Sequence, residues 1–185
     1  DNNDLIAGEE NLLHAGNGQT DLSNSRICVM KSTSTEYPSI ILDFGKELQG
    51  GIQFVTGMPG SQKPVNIRVR FGESVSETMS DVGIRGATND HAMRDFNLAL
   101  SWLGVREVGN SGFRFVRIDL LDPETELQLK EVRAIFTYRD IEYKGSFRCS
   151  DERLNKIWMT GAYTVHLNMQ EYLWDGIKRD RLVWV

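Results

Sequence analysis

Val65-Asn66-Ile67-Arg68-Val69-Arg70-Phe71 alternates apolar and polar residues along its whole length. Val65, Ile67, Val69 and Phe71 point one way while Asn66, Arg68 and Arg70 point the other, the period of two of a strand with one buried face. Antiparallel sheets tolerate a solvated second face, so the arginines are expected in water. Upstream, Ser39-Ile40-Ile41-Leu42-Asp43-Phe44 reads as a strand closed by Gly45. Gly50-Gly51 then resets the chain, and Ile52-Gln53-Phe54-Val55-Thr56 reads as a second strand, ended by Gly57-Met58-Pro59-Gly60. Downstream, the pattern dissolves from Gly72 to about Asp95 into Ser, Thr, Asp, Gly and Asn, which predicts a long irregular loop.

Further strands are expected over Phe96 to Leu103, Phe113 to Leu121 and Leu127 to Tyr138, the last two joined by the turn Asp122-Pro123-Glu124-Thr125. Short strands punctuated by Gly and Pro, with no helices between them, predict a mainly β chain: an antiparallel, jelly-roll-like β-sandwich over residues 36–147. Residues 1–35 are polar and rich in Gly, Asn and Ser apart from Ile27-Cys28-Val29-Met30, and read as an arm or the tail of a preceding domain.

At Ser150 the period changes. Ser150 is a suitable N-cap, and Asp151 and Glu152 sit where the helix dipole favours anions. Leu154, Ile157, Trp158, Gly161, Ala162, Val165, Met169 and Tyr172 follow at helical spacing, predicting one helix of about six turns over 150–174. Its apolar face is broad for a helix packed on a single sandwich. A helical partner, either a C-terminal domain or a second copy, is expected to cover it.

Composition narrows the partners. The 185 residues are 40% hydrophobic and 25% charged, enough for a core of their own. Against 21 Lys and Arg stand 26 Asp and Glu, a net charge of −5, the wrong sign for nucleic acid or an anionic membrane surface. No run of about 18 apolar residues predicts a membrane span. The N-terminus lacks a signal-peptide pattern and begins with Asp1, as processing or a cloned fragment would leave it. Cys28 and Cys149, far apart in sequence, read as two thiols rather than a bridge. His14, His91 and His166 occur singly, so no metal site is expected, and no cofactor is implied. Asp81, Asn89, Asp90 and Asp95 lack the spacing of a calcium loop and read as solvated.

Five segments, spread over residues 36–185, carry a resemblance to a known family. They are Leu42 to Gly51 (LDFGKELQGG), Val69 to Ser74 (VRFGES), Gly112 to Arg117 (GFRFVR), Gly145 to Trp158 (GSFRCSDERLNKIW) and the terminal Asp175 to Trp184 (DGIKRDRLVW). Each is weak alone, but in this order they resemble bacterial α-L-rhamnosidases of glycoside hydrolase family 78. The resemblance implies a β-sandwich beside an α/α six-hairpin barrel that houses the catalytic site. Residues 148–185 would then be the first helix and active-site loop of a truncated barrel.

By the same resemblance, Asp180 matches the general acid, Asp175 an acid that holds rhamnose hydroxyls, Arg179 the motif's substrate-binding arginine and Trp184 the aromatic wall of the sugar pocket. The general-acid position more often carries Glu, so Asp180 requires a closer approach of backbone to the glycosidic oxygen. The family's Gly-Asp pair and general base would lie past Val185. Inverting hydrolysis needs a protonated acid and a carboxylate base about 6.5–9.5 Å apart. The chain is therefore expected to be an inactive fragment of an enzyme acting on rhamnose-containing glycosides or polysaccharides, periplasmic or secreted rather than cytoplasmic. Lys178, Arg179 and Arg181 would lower the pKa of a neighbouring acid unless burial outweighs them. The alternatives are a carbohydrate-binding sandwich using Tyr37, Trp102 or Trp174, a sandwich that only braces a catalytic barrel, and ordinary surface ion pairs at Asp175 and Asp180.

Overall fold

The computed structural model describes residues 3–23, 25–84, 93–178 and 183. Seven strands, β1 (Ile6–Ala7), β2 (Cys28–Lys31), β3 (Ser39–Thr56), β4 (Val65–Gly72), β5 (Asp95–Leu100), β6 (Val105–Leu120) and β7 (Glu126–Phe136), form one antiparallel sheet in the order β1-β2-β7-β3-β6-β4-β5. A one-turn helix α1 (Val75–Met79) follows β4, and helix α2 (Glu152–Asn168) follows the sheet.

β3 and β6 run through both layers of a sandwich. The first half of β3 (39–43) pairs with β6 residues 115–119, which continue through β4 to β5. The second half (50–56) pairs with β7, which continues through β2 to β1. Two register shifts between β3 and β6, at Asp43/Leu48 and Gly50/Ile52, separate the halves and bend the ladder. One apolar cluster fills the space between them, joining Ile67, Val69 and Ile118 of one half to Met30, Ile52, Phe54 and Leu129 of the other.

The alternation at Val65–Phe71 holds: Val65, Ile67, Val69 and Phe71 are buried. Phe71 stacks edge-on against Phe113, with ring centroids 5.1 Å apart, and against Phe96 at 5.9 Å. Gly109, at φ +87°, lies beneath the same ring; a Cβ there would come within 2.5 Å of it.

Several expectations need correction. β3 is continuous, because Gly50 and Gly51 lie inside it. A Cβ on either would strike the neighbouring strands' carbonyls, Ile135 O at 2.0 Å or Val108 O at 2.4 Å, so the glycines mark close backbone approach rather than a break. The arginines of β4 are paired rather than simply solvated, Arg70 buried and Arg68 partly exposed. Arg70 is 4% exposed and bonds Asp119 at 3.0 Å and Asp81 at 3.2 Å, while Arg68 takes Asp95 in a two-pronged bond of 2.8 and 2.6 Å. Asp95, expected to be solvated, is a largely buried counterion of Arg68, whereas Asp81, in the 72–84 segment, stays 64% exposed as expected while it pairs with both arginines. That segment is not wholly irregular, since it contains α1; Asn89, Asp90 and His91 lie outside the described residues. The 1–35 segment lays β1 and β2 along the sheet, and Cys28 and Met30 are fully buried in the core. Both cysteines are free thiols.

Asp151 rather than Ser150 caps α2, its Oδ1 accepting from Arg153 N at 2.8 Å and Leu154 N at 3.4 Å. The helix ends at Asn168, short of the expected 174. Arg139 takes the exit, donating to Gln170 O at 2.6 Å and Glu171 O at 2.9 Å, and Gln170 is buried with its amide on Thr137 O and Leu167 O. A cation bonded to the carbonyls just beyond a helix C-terminus turns the chain instead of extending the helix.

Replacing Gly109 by Ala adds a methyl group against the Phe71 ring at a backbone conformation unfavourable to L side chains. It is expected to cost about 2 kcal/mol or more. Phe113→Ala should cost about 3–5 kcal/mol through the cavity it leaves. Urea denaturation of both variants measures this, and a loss under 1 kcal/mol for either contradicts the proposed layer contact.

Candidate functional site

The first register shift builds an open cleft. Asp43 accepts from Gly45 N at 2.8 Å and holds Arg114 through bonds of 2.8 and 2.9 Å. Between these anchors and Leu48, β3 swings out and presents Lys46 and Glu47 to α2. Tyr163 of α2 donates to Glu47 O at 2.5 Å, and the Lys46 ammonium lies 4.8 Å from the Tyr163 ring centroid. The resulting open cleft of about 900 Å³ is lined by Glu47, Glu73, Arg114, Tyr163, Asp175 and Lys178, among others.

Its acidic wall comes from the β4–α1 junction. Ser74 caps α1 by accepting from Glu77 N at 3.2 Å, while Glu77 Oε2 accepts from Glu73 N at 2.9 Å. This is a variant of the capping box, in which Glu77 reaches back to the amide before the N-cap rather than to that of Ser74, and its Ser-x-x-Glu spacing stands in the sequence at Ser74 and Glu77. Lys178 bonds Glu77 and lies 3.5 Å from Glu73. Ile177, 7% exposed, packs on β6, where Gly112 N donates to its carbonyl at 3.2 Å.

Glu47 is the electrostatically unusual member. Burial, then the negative charge of Glu73, push its carboxyl up to about 8; Lys178 opposes them, and a hydrogen bond with Glu73 and the charge of Glu77 add to the rise. Its Oε1 is buried without a hydrogen-bond partner among the described residues. Asp43 is shifted the other way, to about 2, by its bonds to Arg114. Burial and the charge of Glu47 raise the Tyr163 hydroxyl.

Of the site residues expected from sequence, Asp175 lies in this cleft. Arg179, Asp180 and Trp184 fall outside the described residues. Lys178, expected to lower a neighbouring acid's pKa, is taken up by Glu73 and Glu77. Glu47 and Glu73 belong to quoted segments but were assigned no role there, since nothing in a linear spacing brings 47, 73 and 178 together. His166 is a packing residue: its Nε2 donates to Arg139 O at 2.6 Å and its Nδ1 accepts from the Tyr143 hydroxyl at 2.9 Å. Among the described residues no group of three or more His, Cys, Asp or Glu is arranged to hold a metal ion.

No family model and no curated protein matches the sequence. Solved structures do. A rhamnosidase from Klebsiella oxytoca with rhamnose bound superposes with a TM-score of 0.68 at 24% identity over 83% of this chain. The family 78 rhamnosidase of Bacillus sp. GL1 does so with a TM-score of 0.66 at 22% identity over 89%. The fold is shared with rhamnosidases. This chain spans 31% of the Klebsiella enzyme's chain and 16% of the Bacillus one.

A pH prediction follows from Glu47. The unfolded chain releases this proton near 4.5 and the folded chain near 8, so between those values the folded state binds more protons and stability falls as pH rises. Glu47→Gln removes the penalty. The variant should gain on the original chain from pH 5 to 8 and level off above about 9, by roughly 1–2 kcal/mol after discounting for partial exposure. Thermal melts across pH 4–10 test it, and parallel stability curves would rule out a raised carboxyl.

Proposed function

We propose that this chain is part of an α-L-rhamnosidase of glycoside hydrolase family 78, supplying its β-sandwich and the start of its catalytic α/α barrel. The observation that carries the reading is the shared fold with two rhamnosidases over most of the chain, one of them holding rhamnose. The order of the five sequence segments supports it independently. In this reading Asp180 protonates the leaving oxygen, Asp175 grips rhamnose hydroxyls, and Arg179 and Trp184 complete the sugar pocket. A carboxylate supplied from outside these residues activates water, and hydrolysis proceeds with inversion.

Helix α2 supports the barrel. Leu154, Ile157 and Val165, on one side of the helix, are each about half exposed, at 48–57%, and Leu167 is the one buried residue within the helix. Such a face is unusual for a finished surface and suits packing against further helices.

Two outcomes are expected. The 185-residue chain alone should hydrolyse aryl α-L-rhamnosides no faster than buffer, because the reaction needs both an acid and a base; turnover abolished by Asp180→Asn would overturn this. In the full-length gene product, Asp180→Asn should slow natural rhamnosides about 10²–10⁴-fold and nitrophenyl rhamnosides far less, since an activated phenolate leaves without a proton. Asp175→Asn should harm both substrates. Measuring kcat/KM for the two substrates decides the roles, and equal losses for Asp180→Asn would remove it from the acid position.

A further inference from the structure

The second register shift between β3 and β6, at Gly50/Ile52, opens a cleft of about 500 Å³ where the chain leaving α2 meets the sandwich. That volume lies in the range of small-molecule sites. Gly50, Gly51 and Gly109 carry no side chain, so part of its lining is bare backbone. Glu107 and Asn110 line it from β6, and Glu171 and Trp174 from the segment that Arg139 turns back. Trp174 is half-buried, and its backbone N–H donates to Asn168 O at 3.0 Å.

Gln49 lines the same cleft from within β3 and is 1% exposed. Its Nε2 donates to Asn110 Oδ1 at 2.7 Å, while its Oε1 is buried without a hydrogen-bond partner among the described residues. A buried acceptor without a donor costs free energy, and a donor that enters the cleft removes that cost.

Ionised carboxylates only accept hydrogen bonds, so Glu107, Glu171 and the Gln49 carbonyl together suit a ligand rich in donors. Among the described residues no Lys or Arg lines this cleft, which disfavours an anion. Glu107 Oε1 is already fixed, accepting from Gln53 Nε2 at 2.8 Å. The Trp174 indole adds a flat apolar surface. Several hydroxyls, one apolar face and no negative charge describe a neutral pyranose.

We propose that this cleft is a binding site for a neutral sugar unit: Trp174 stacks on the C–H face of the ring, and Glu107, Glu171 and Gln49 accept from its hydroxyls. The choice of a sugar over a cationic amine rests on the rhamnosidase reading. Trp174 directly precedes Asp175, so a sugar held here lies along the segment that also lines the cleft with Glu47.

The test uses the 185-residue chain and the indole N–H resonances of its four tryptophans, of which Trp174→Phe identifies the one concerned. Methyl α-L-rhamnoside or methyl β-D-glucoside should shift it saturably, with a Kd on the order of 1–10 mM for a ligand of this size. Methyl β-D-glucuronide, which adds a carboxylate to the glucoside, should bind at least about fivefold more weakly than the better neutral sugar. Glu107→Ala and Gln49→Met should each weaken that sugar about tenfold. Glu107 is exposed, so its variant decides the matter where Gln49→Met fails to fold. No shift with either neutral sugar at about 50 mM, glucuronide bound as tightly as the better neutral sugar, tetramethylammonium bound more tightly than both, or an unchanged Kd in either folded variant would overturn the site. Full-length gene product that cleaves no rhamnoside, while this chain binds a neutral sugar, would overturn the functional reading and leave the site standing.

Discussion

Between the pairs Asp43–Phe115 and Leu48–Phe113, β3 uses four residues where β6 uses one. The surplus cannot stay in the ladder, so it leaves the sheet plane, and the strands bend where it does. Two strands of 18 and 16 residues thereby serve both layers of the sandwich. The same excursion carries Lys46 and Glu47 out to Tyr163. A sheet with matched register here would be flatter and would offer α2 no docking point.

Everything at the cleft depends on that seat. Tyr163 on the Glu47 carbonyl fixes α2, and the chain leaving α2 is turned back by Arg139 so that Asp175 to Lys178 return to the sandwich. Burial of Glu47 against two further carboxyls is costly, and Lys178 only partly offsets it. Electrostatic tension of this kind is common where groups are held for chemistry rather than for stability.

Much of the fold was legible in the residues themselves. The alternation at Val65–Phe71 reports a buried face directly, and the change of period at 150 reports a helix. The continuity of β3 was not legible, because Gly50-Gly51 looks the same whether glycine breaks a strand or lets two backbones touch. Arg68 and Arg70 read as solvent-facing because their carboxylate partners, Asp81, Asp95 and Asp119, lie 11 to 49 residues away along the chain. At the site, Asp175 could be named only through the family resemblance of the 175–184 stretch. The pairing of Lys178 with Glu77, separated by 101 residues, depends on a fold that only the assembled strands define.

The proposed reading is that this chain is part of an inverting α-L-rhamnosidase. Proton NMR of the full-length gene product acting on an aryl α-L-rhamnoside, followed from the first seconds before mutarotation, tests it most directly. The account predicts that β-L-rhamnose appears first and the α anomer only later, as solvent equilibrates the sugar. First appearance of the α anomer, or no rhamnose at all, would contradict it.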